Sequence, residues 1–178
     1  MSNIRPAVSR SNRWAGLVLL IKNASQRGAY QQLFASNAVK KTYHAVAPLN
    51  KKLALPLTHK SRIIESPRFM QMEVAQGPAN SHTHIAVIRS VGDKTHLFCL
   101  SPTTGKKHQL RLHMASLAMP ITGDRIYPTL QPFVKANQQQ WDNPLQLLAK
   151  GLQFTDPITK LERTFTSTLQ LAKGTTKD

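Results

Sequence analysis

The stretch Thr104-Gly105-Lys106-Lys107-His108-Gln109-Leu110-Arg111 concentrates side chains that bind anions. Lysines at the opening of a helix, directly after a glycine, lie where unpaired backbone amides and the positive helix end already favour phosphate. Gly105-Lys106-Lys107-His108 therefore reads as a phosphate clamp, and Gln109 and Arg111 add directional donors. The same pattern also describes a solvated helix start, so the stretch alone leaves both readings open. His108 and His113 stand five residues apart, out of step for two ligands on one helical face, and no metal site is expected. Cys99 is the only cysteine, which excludes an internal disulfide and a cysteine-rich zinc centre. Its place in Thr95-His96-Leu97-Phe98-Cys99-Leu100 marks it as a small buried strand residue.

The rest of the chain supplies the matching charge. Across 178 residues, 24 Lys and Arg face 8 Asp and Glu, a formal net charge of +16. That excess is far beyond what solubility needs and implies a polyanionic partner, nucleic acid before heparin-like polymers or anionic lipid. Membrane association is disfavoured, because the longest apolar run, residues 15–21, is too short to span a bilayer and is followed by Lys22. Residues 1–11 lack the apolar stretch and cleavage site of a secretory signal, so the expected location is cytoplasmic. An apolar fraction of 40% over this length suffices for one core, and a single domain over residues 1–178 is expected, with 1–11 and 170–178 flexible.

The elements that must carry these residues follow from periodicity. Residues 16–21 read as a buried strand, and residues 24–36 as an amphipathic helix capped by Asn23 or Ser25, with Tyr30, Leu33 and Phe34 recurring at helical spacing. Residues 39–47 alternate, with Val39, Tyr43, Ala45 and Ala47 on one face and Lys40, Thr42 and His44 on a wet basic one. Residues 48–59 form a proline-punctuated loop, and residues 62–64 and 69–74 are short strands. Two alternating runs, residues 82–91 and 94–100, flank Gly92-Asp93 as a β-hairpin. Residues 107–119 form the second helix, with Leu110, Met114, Leu117 and Ala118 on its stripe. Residues 120–144 are irregular, and residues 145–150, 152–154 and 163–165 are strands. The fold class is α+β, a mixed, largely antiparallel sheet with two main helices.

Taken together, these residues carry a family resemblance. Thr104-Gly105-Lys106-Lys107-His108-Gln109-Leu110-Arg111-Leu112-His113 resembles the T-G-R-x-H-Q-x-R-x-H stretch of RluA-type RNA pseudouridine synthases. Pro120-Ile121-Thr122-Gly123-Asp124-Arg125-Ile126-Tyr127 is similar to the P-I-x-G-D-x-x-Y that follows it there. Lys41-Thr42-Tyr43 matches the family's K-x-Y strand, and Gly16-Leu17-Val18-Leu19-Leu20 the strand leaving its H-R-L-D-x-x-T-S-G loop. Phe154-Thr155-Asp156-Pro157-Ile158-Thr159 resembles its F-x-H-P-x-T-G. Five motifs in order span about residues 10–165.

The resemblance implies the C-terminal part of a pseudouridine synthase-like catalytic fold and a cofactor-free isomerase that flips a uridine out of structured rRNA or tRNA. An aspartate attacks, and the uracil is rejoined through carbon. It places Tyr43 against the base and Arg111 beside the aspartate, and it makes Arg13, Lys40, Lys41, Lys106, Lys107, His108 and Gln109 candidate RNA contacts. The chain departs from the family at the nucleophile: Ser11 or Asn12 falls under the aspartate, depending on alignment. Whether the chain is an enzyme therefore stays open, with an inactive RNA-binding relic or fragment as the alternative. Arg111 is expected to lack its carboxylate partner. Only about ten residues precede the loop, so an N-terminal truncation is expected, with self-association at an exposed sheet edge or a complementing N-terminal piece as its consequence.

Overall fold

The computed structural model describes residues 4–10, 15–132 and 143–171, the first of these as backbone only. Nine strands build one sheet: β1 Ile4–Arg10, β2 Ala15–Ile21, β3 Lys40–Pro48, β4 Leu57–Glu65, β5 Met72–Ala75, β6 Ser81–Ser90, β7 Thr95–Pro102, β8 Leu147–Thr155 and β9 Glu162–Thr166. Their order is β1-β2-β8-β3-β7-β6-β4-β5, with β9 also paired to β8. Every pairing is antiparallel except β2 with β8. The helices are α1 Arg27–Ala35 and α2 Gln109–Ser116. The architecture is the mixed, largely antiparallel α+β fold with two helices.

Odd-numbered residues of β3 point to the face that carries both helices, as strand alternation requires. Ala45 and Ala47 join Ile85, Phe98 and Leu100 beneath Leu110 and Met114 of α2 and beneath Met119 and Ile121. Each large aliphatic or aromatic side chain buried there contributes about 1.5–3 kcal/mol. α1 closes a second cluster, where Tyr30 meets Val39 and Phe154. Asn23 caps the short 3-10 turn Ala24–Gln26 that leads into α1, accepting from the Ser25 amide at 3.0 Å, while α1 itself begins after Gln26 without a side-chain cap, and Phe34 stays 40% exposed.

Several local expectations change in the folded chain. Residues 4–10, expected to be flexible, form β1 and pair along all of β2. β2 is not a wholly buried strand, since Leu20 is 52% exposed. β4 begins at Leu57, inside the stretch expected to be a loop, because its pairing with β6 overrides local prolines. The second helix is shorter than its apolar pattern suggests, and Cys99 is half-buried. The runs 145–150 and 152–154 are one strand, β8, interrupted by a bulge that leaves Lys150 unpaired between Thr42 and Tyr43. The Lys150 ammonium instead donates to the carbonyls of Ser167 and Leu169.

Gly16 sits where β2 meets β8 in parallel, at φ +115°, and an added Cβ would lie 2.2 Å from the Ala149 carbonyl oxygen. No side chain fits this crossing.

Asp156 ties the end of β8 to α1. It accepts the Tyr30 hydroxyl at 3.0 Å and the amides of Ile158 and Thr159. Burial, then the bond to Asp156, pushes the Tyr30 hydroxyl up to about 12. Tyr30→Phe keeps the ring against Phe154 and removes one buried hydrogen bond, so the urea midpoint is expected to fall by the equivalent of about 1 kcal/mol. An unchanged midpoint would show that the bond adds nothing.

Candidate functional site

The sheet register sets out the site. Gly16 pairs with Ala149, Ala149 with Tyr43, and Tyr43 with Leu100, which makes one row across β2, β8, β3 and β7. The Arg10 and Ala15 pair ends the described pairing of β1 with β2 next to Gly16, about two strand spacings, roughly 10 Å, from Tyr43. Ser11, Asn12 and Arg13, which follow Arg10, lie outside the described residues. Tyr43 packs against the cluster that contains Leu110, and burial raises its hydroxyl above the ordinary value, so it stays protonated.

Lys41 lies on the same face of β3 as Tyr43 and is 8% exposed. Its ammonium donates to the Thr104 carbonyl at 3.3 Å, and burial lowers its pKa. Lys40 projects to the opposite, exposed face. The two adjacent lysines therefore do not act on one surface, a division that follows from strand alternation.

α2 is entered through an unusual turn. His108 is its N-cap at φ +56°, a left-handed conformation, so Lys106 and Lys107 precede the helix rather than open it. Of the amides expected to clamp phosphate, that of Lys106 is engaged, donating to Gln109 Oε1 at 3.0 Å, and the Gln109 N–H in turn donates to the Lys106 carbonyl. The ammonium groups of Lys106 and Lys107 remain exposed and unpaired among the described residues, leaving a grip by charge alone. His108 is half-buried, with Nδ1 3.2 Å from the Tyr127 hydroxyl. Burial, then the charges of Arg111 and Lys107, lower its pKa, so it adds no positive charge at neutral pH.

Gln109, a candidate RNA contact, is 4% exposed. Its Oε1 accepts the Thr104 hydroxyl and the Lys106 amide, while its Nε2 donates to the His82 carbonyl and the Thr83 hydroxyl. A glutamine amide has about four such positions, and all four are filled within the protein. Gln109 shapes the turn from beneath.

Arg111 does not lack a carboxylate. Its Nε donates to Asp124 Oδ2 at 2.8 Å and its Nη2 to Oδ1 at 2.5 Å, a two-pronged pair in which the Asp124 side chain is 1% exposed. Asp124 Oδ1 also receives the amides of Ile126 and Tyr127. The guanidinium lies 5.5 Å from the centre of the Tyr127 ring, and the Tyr127 hydroxyl accepts the Met72 amide at 2.7 Å. Arg111 Nη1 has no protein partner among the described residues, so one edge of the fork stays available.

Sequence reasoning missed Asp124 as the partner of Arg111, and it missed His82, Thr83 and Tyr127 as supports. The Gly123-Asp124 pair just after a helix was the visible signal for Asp124. Thirteen residues separate it from Arg111, with no periodicity linking them.

The arrangement joins a cationic turn, an aromatic ring with its neighbouring loop, and an arginine held by a buried carboxylate. Residues 14–116 match the RNA pseudouridylate synthase family. The chain is 28% identical over 165 residues to tRNA pseudouridine synthase C of Haemophilus ducreyi, covering 87% of this chain and 68% of that protein. It is 31% identical over 153 residues to dual-specificity RNA pseudouridine synthase RluA of Vibrio parahaemolyticus, covering 80% and 57%. The chain thus spans a little over half to two-thirds of the length of these relatives. Human RNA pseudouridylate synthase domain containing 1 superimposes with a TM-score of 0.67 at 22% identity, over 92% of this chain and 68% of the human one. The chain belongs to the RNA pseudouridylate synthase family, in its RluA-type branch.

Proposed function

We propose that this chain binds structured RNA of the tRNA or rRNA class and seats a flipped uridine against Tyr43. Isomerisation would depend on a carboxylate in the β1–β2 turn, which this sequence does not supply. The observation that carries the reading is the row from Gly16 through Ala149 to Tyr43, in which β2, the strand that follows residues 11–14, lies two strands from Tyr43. Lys106 and Lys107 hold the phosphate backbone by charge, and Tyr43 stacks the base, a contact of roughly 1–3 kcal/mol that offsets the cost of unstacking.

Ser11-Asn12-Arg13-Trp14 contains no acidic side chain. A neutral amide at Asn12 has no anionic oxygen with which to attack the sugar. Asp124 and Asp156 do not substitute for it, since both are buried with their oxygens committed to amides and to an arginine or a tyrosine. The reaction rearranges bonds within one nucleotide, so no cofactor is invoked. A cytoplasmic location fits RNA as partner, and no helix among the described residues is long and apolar enough to cross a membrane. Self-association or a complementing N-terminal piece remains part of the proposal, and gel filtration with and without RNA reads it directly.

Tritium release from RNA labelled at uridine C5 tests turnover, because forming the carbon glycoside expels that hydrogen. The protein is expected to bind the RNA and release none, and Asn12→Asp is expected to release it. Release by the unaltered protein would overturn the non-catalytic reading; Asn12→Asp that binds but stays silent would overturn the placement of the nucleophile. The double change Lys106→Ala and Lys107→Ala is expected to weaken binding and to flatten the dependence of log K on log salt by roughly 1.5.

A further inference from the structure

His113 has no part in the site just described, yet its surroundings are built around it. Its side chain is fully buried, and both ring nitrogens meet hydroxyls. Nε2 lies 2.9 Å from Ser61 Oγ and 3.0 Å from Ser81 Oγ, and Nδ1 lies 2.9 Å from Thr83 Oγ1. Ser61, Ser81 and Thr83 are themselves buried.

Counting protons assigns the roles. The Ser81 hydroxyl donates to the Ser61 carbonyl at 2.6 Å, so towards the imidazole Ser81 Oγ is an acceptor. Thr83 Oγ1 accepts from Gln109 Nε2 at 3.0 Å, and its own hydrogen then needs an acceptor, which His113 Nδ1 provides. One arrangement satisfies every group: His113 neutral, with hydrogen on Nε2 facing the serines and a bare Nδ1 facing Thr83. The opposite tautomer aims two N–H groups at Thr83 Oγ1 and strands the threonine hydrogen in the core, at the usual cost of a buried unpaired donor. From Gln109 the chain of bonds continues to the Thr104 hydroxyl and the Lys106 amide.

We propose that His113 is a positioning residue: as the Nε2–H tautomer it orients Thr83, which orients the Gln109 amide, which in turn holds the Thr104-Gly105-Lys106 turn in its RNA-gripping shape. A side chain that never touches RNA thereby sets the RNA contact. A second proton on the ring breaks the relay at Thr83, because Nδ1 then donates where it had accepted. The groups facing His113 all oppose that proton. His59 of β4 stands edge-on with ring centres 4.7 Å apart, His82 of β6 adds charge when protonated, and the three hydroxyls carry none. No carboxylate bonds to His113 among the described residues.

The inference rests on the turn being an RNA grip, so its test has an arm that needs no RNA. In the free, unaltered protein, nitrogen-15 NMR of the histidine rings is expected to show His113 neutral with hydrogen on Nε2, and hydrogen on Nδ1 overturns the relay. Thr83→Val and Ser61→Ala each remove one buried hydroxyl beside His113. Only Thr83→Val interrupts the path to Gln109. It is expected to shift the Lys106 amide resonance and weaken RNA binding roughly five- to tenfold, whereas Ser61→Ala leaves both near the unaltered values. Equal effects from the two variants, or none from Thr83→Val, overturn the proposal. If Thr83→Val does not fold, His113→Asn and His113→Gln decide it. Asn retains an acceptor where Nδ1 stood and is expected to hold the Lys106 resonance, while Gln presents its amide towards the serines and is expected to lose it; the reverse order overturns the relay. Failure of the unaltered protein to bind RNA would instead count against the proposed function, with the tautomer and the Lys106 resonance still readable.

Discussion

Asp124→Ala is expected to lower the unfolding free energy by about 3–5 kcal/mol, the usual cost of removing one partner from a buried ion pair. The variant strands the Arg111 guanidinium, whose side chain is only 15% exposed, and leaves the amides of Ile126 and Tyr127 without their acceptor. For a chain of this size the melting temperature should drop by about 10 °C. The loss has a second partner to test it against. Arg111→Met alone leaves Asp124 buried without its cation but still bonded to two amides, so it should cost less. Arg111→Met added to Asp124→Ala should cost less than the sum of the two single changes, because the stranded charge is then gone. Additive losses would mean that the pair does not couple and that Asp124 acts through the two amides alone.

The second large effect is on acid stability. Burial, then the nearby His59 and His82, push His113 down to about 4, against an ordinary value near 6.5. Between those two values the unfolded chain binds a proton that the folded chain refuses. Stability therefore falls as pH drops from about 6.5 towards 4, by up to about 3 kcal/mol from this one residue. His44, His59 and His108, also lowered chiefly by burial, act in the same direction. Asp156 is depressed by its amide, tyrosine and arginine partners acting against the burial that raises it, so its loss belongs to lower pH, below the ordinary carboxylate value, and leaves the histidine window separate. Denaturant unfolding across pH 4–7 should show this slope in the unaltered protein and a shallower one in His113→Asn. Parallel curves for the two proteins would remove His113 as the source.

Much of the fold was legible in the sequence because its signals are local. Alternation located β3, the β6–β7 hairpin and the helix-facing side of Tyr43, and the capping side chain of Asn23 marked the 3-10 turn that leads into α1. The parts that were not legible depend on pairing. Lys150 reads as one more residue of an apolar run and becomes a bulge only because β3 and β8 meet with a register shift. Residues 4–10 carry no strong strand pattern and extend only because β2 offers them a partner along its length. The α2 stripe was visible at Leu110 and Met114, but Leu112 and His113 on its other sides are buried too, since the chain around β4, β5 and β6 packs over them. A helix covered on most of its sides loses the amphipathic contrast that reveals its ends.

The sequence by itself determined the chemistry at hand: a strongly basic chain, a lysine-bearing turn, an aromatic strand residue, an arginine seven residues after Thr104, and a Ser11-Asn12-Arg13-Trp14 stretch without an acid. These are properties of residue type and short spacing, which any conformation of the chain retains. Only the tertiary structure decided how those groups are used. It gave Arg111 the carboxylate of Asp124, closed every position of Gln109 inside the protein, moved Lys106 and Lys107 off the helix and left them exposed, and fixed one tautomer at His113. The physical reason is that hydrogen-bond and ion-pair partners are set by distances of about 3 Å between groups far apart in the chain, and burial makes each missing partner costly enough to select one arrangement.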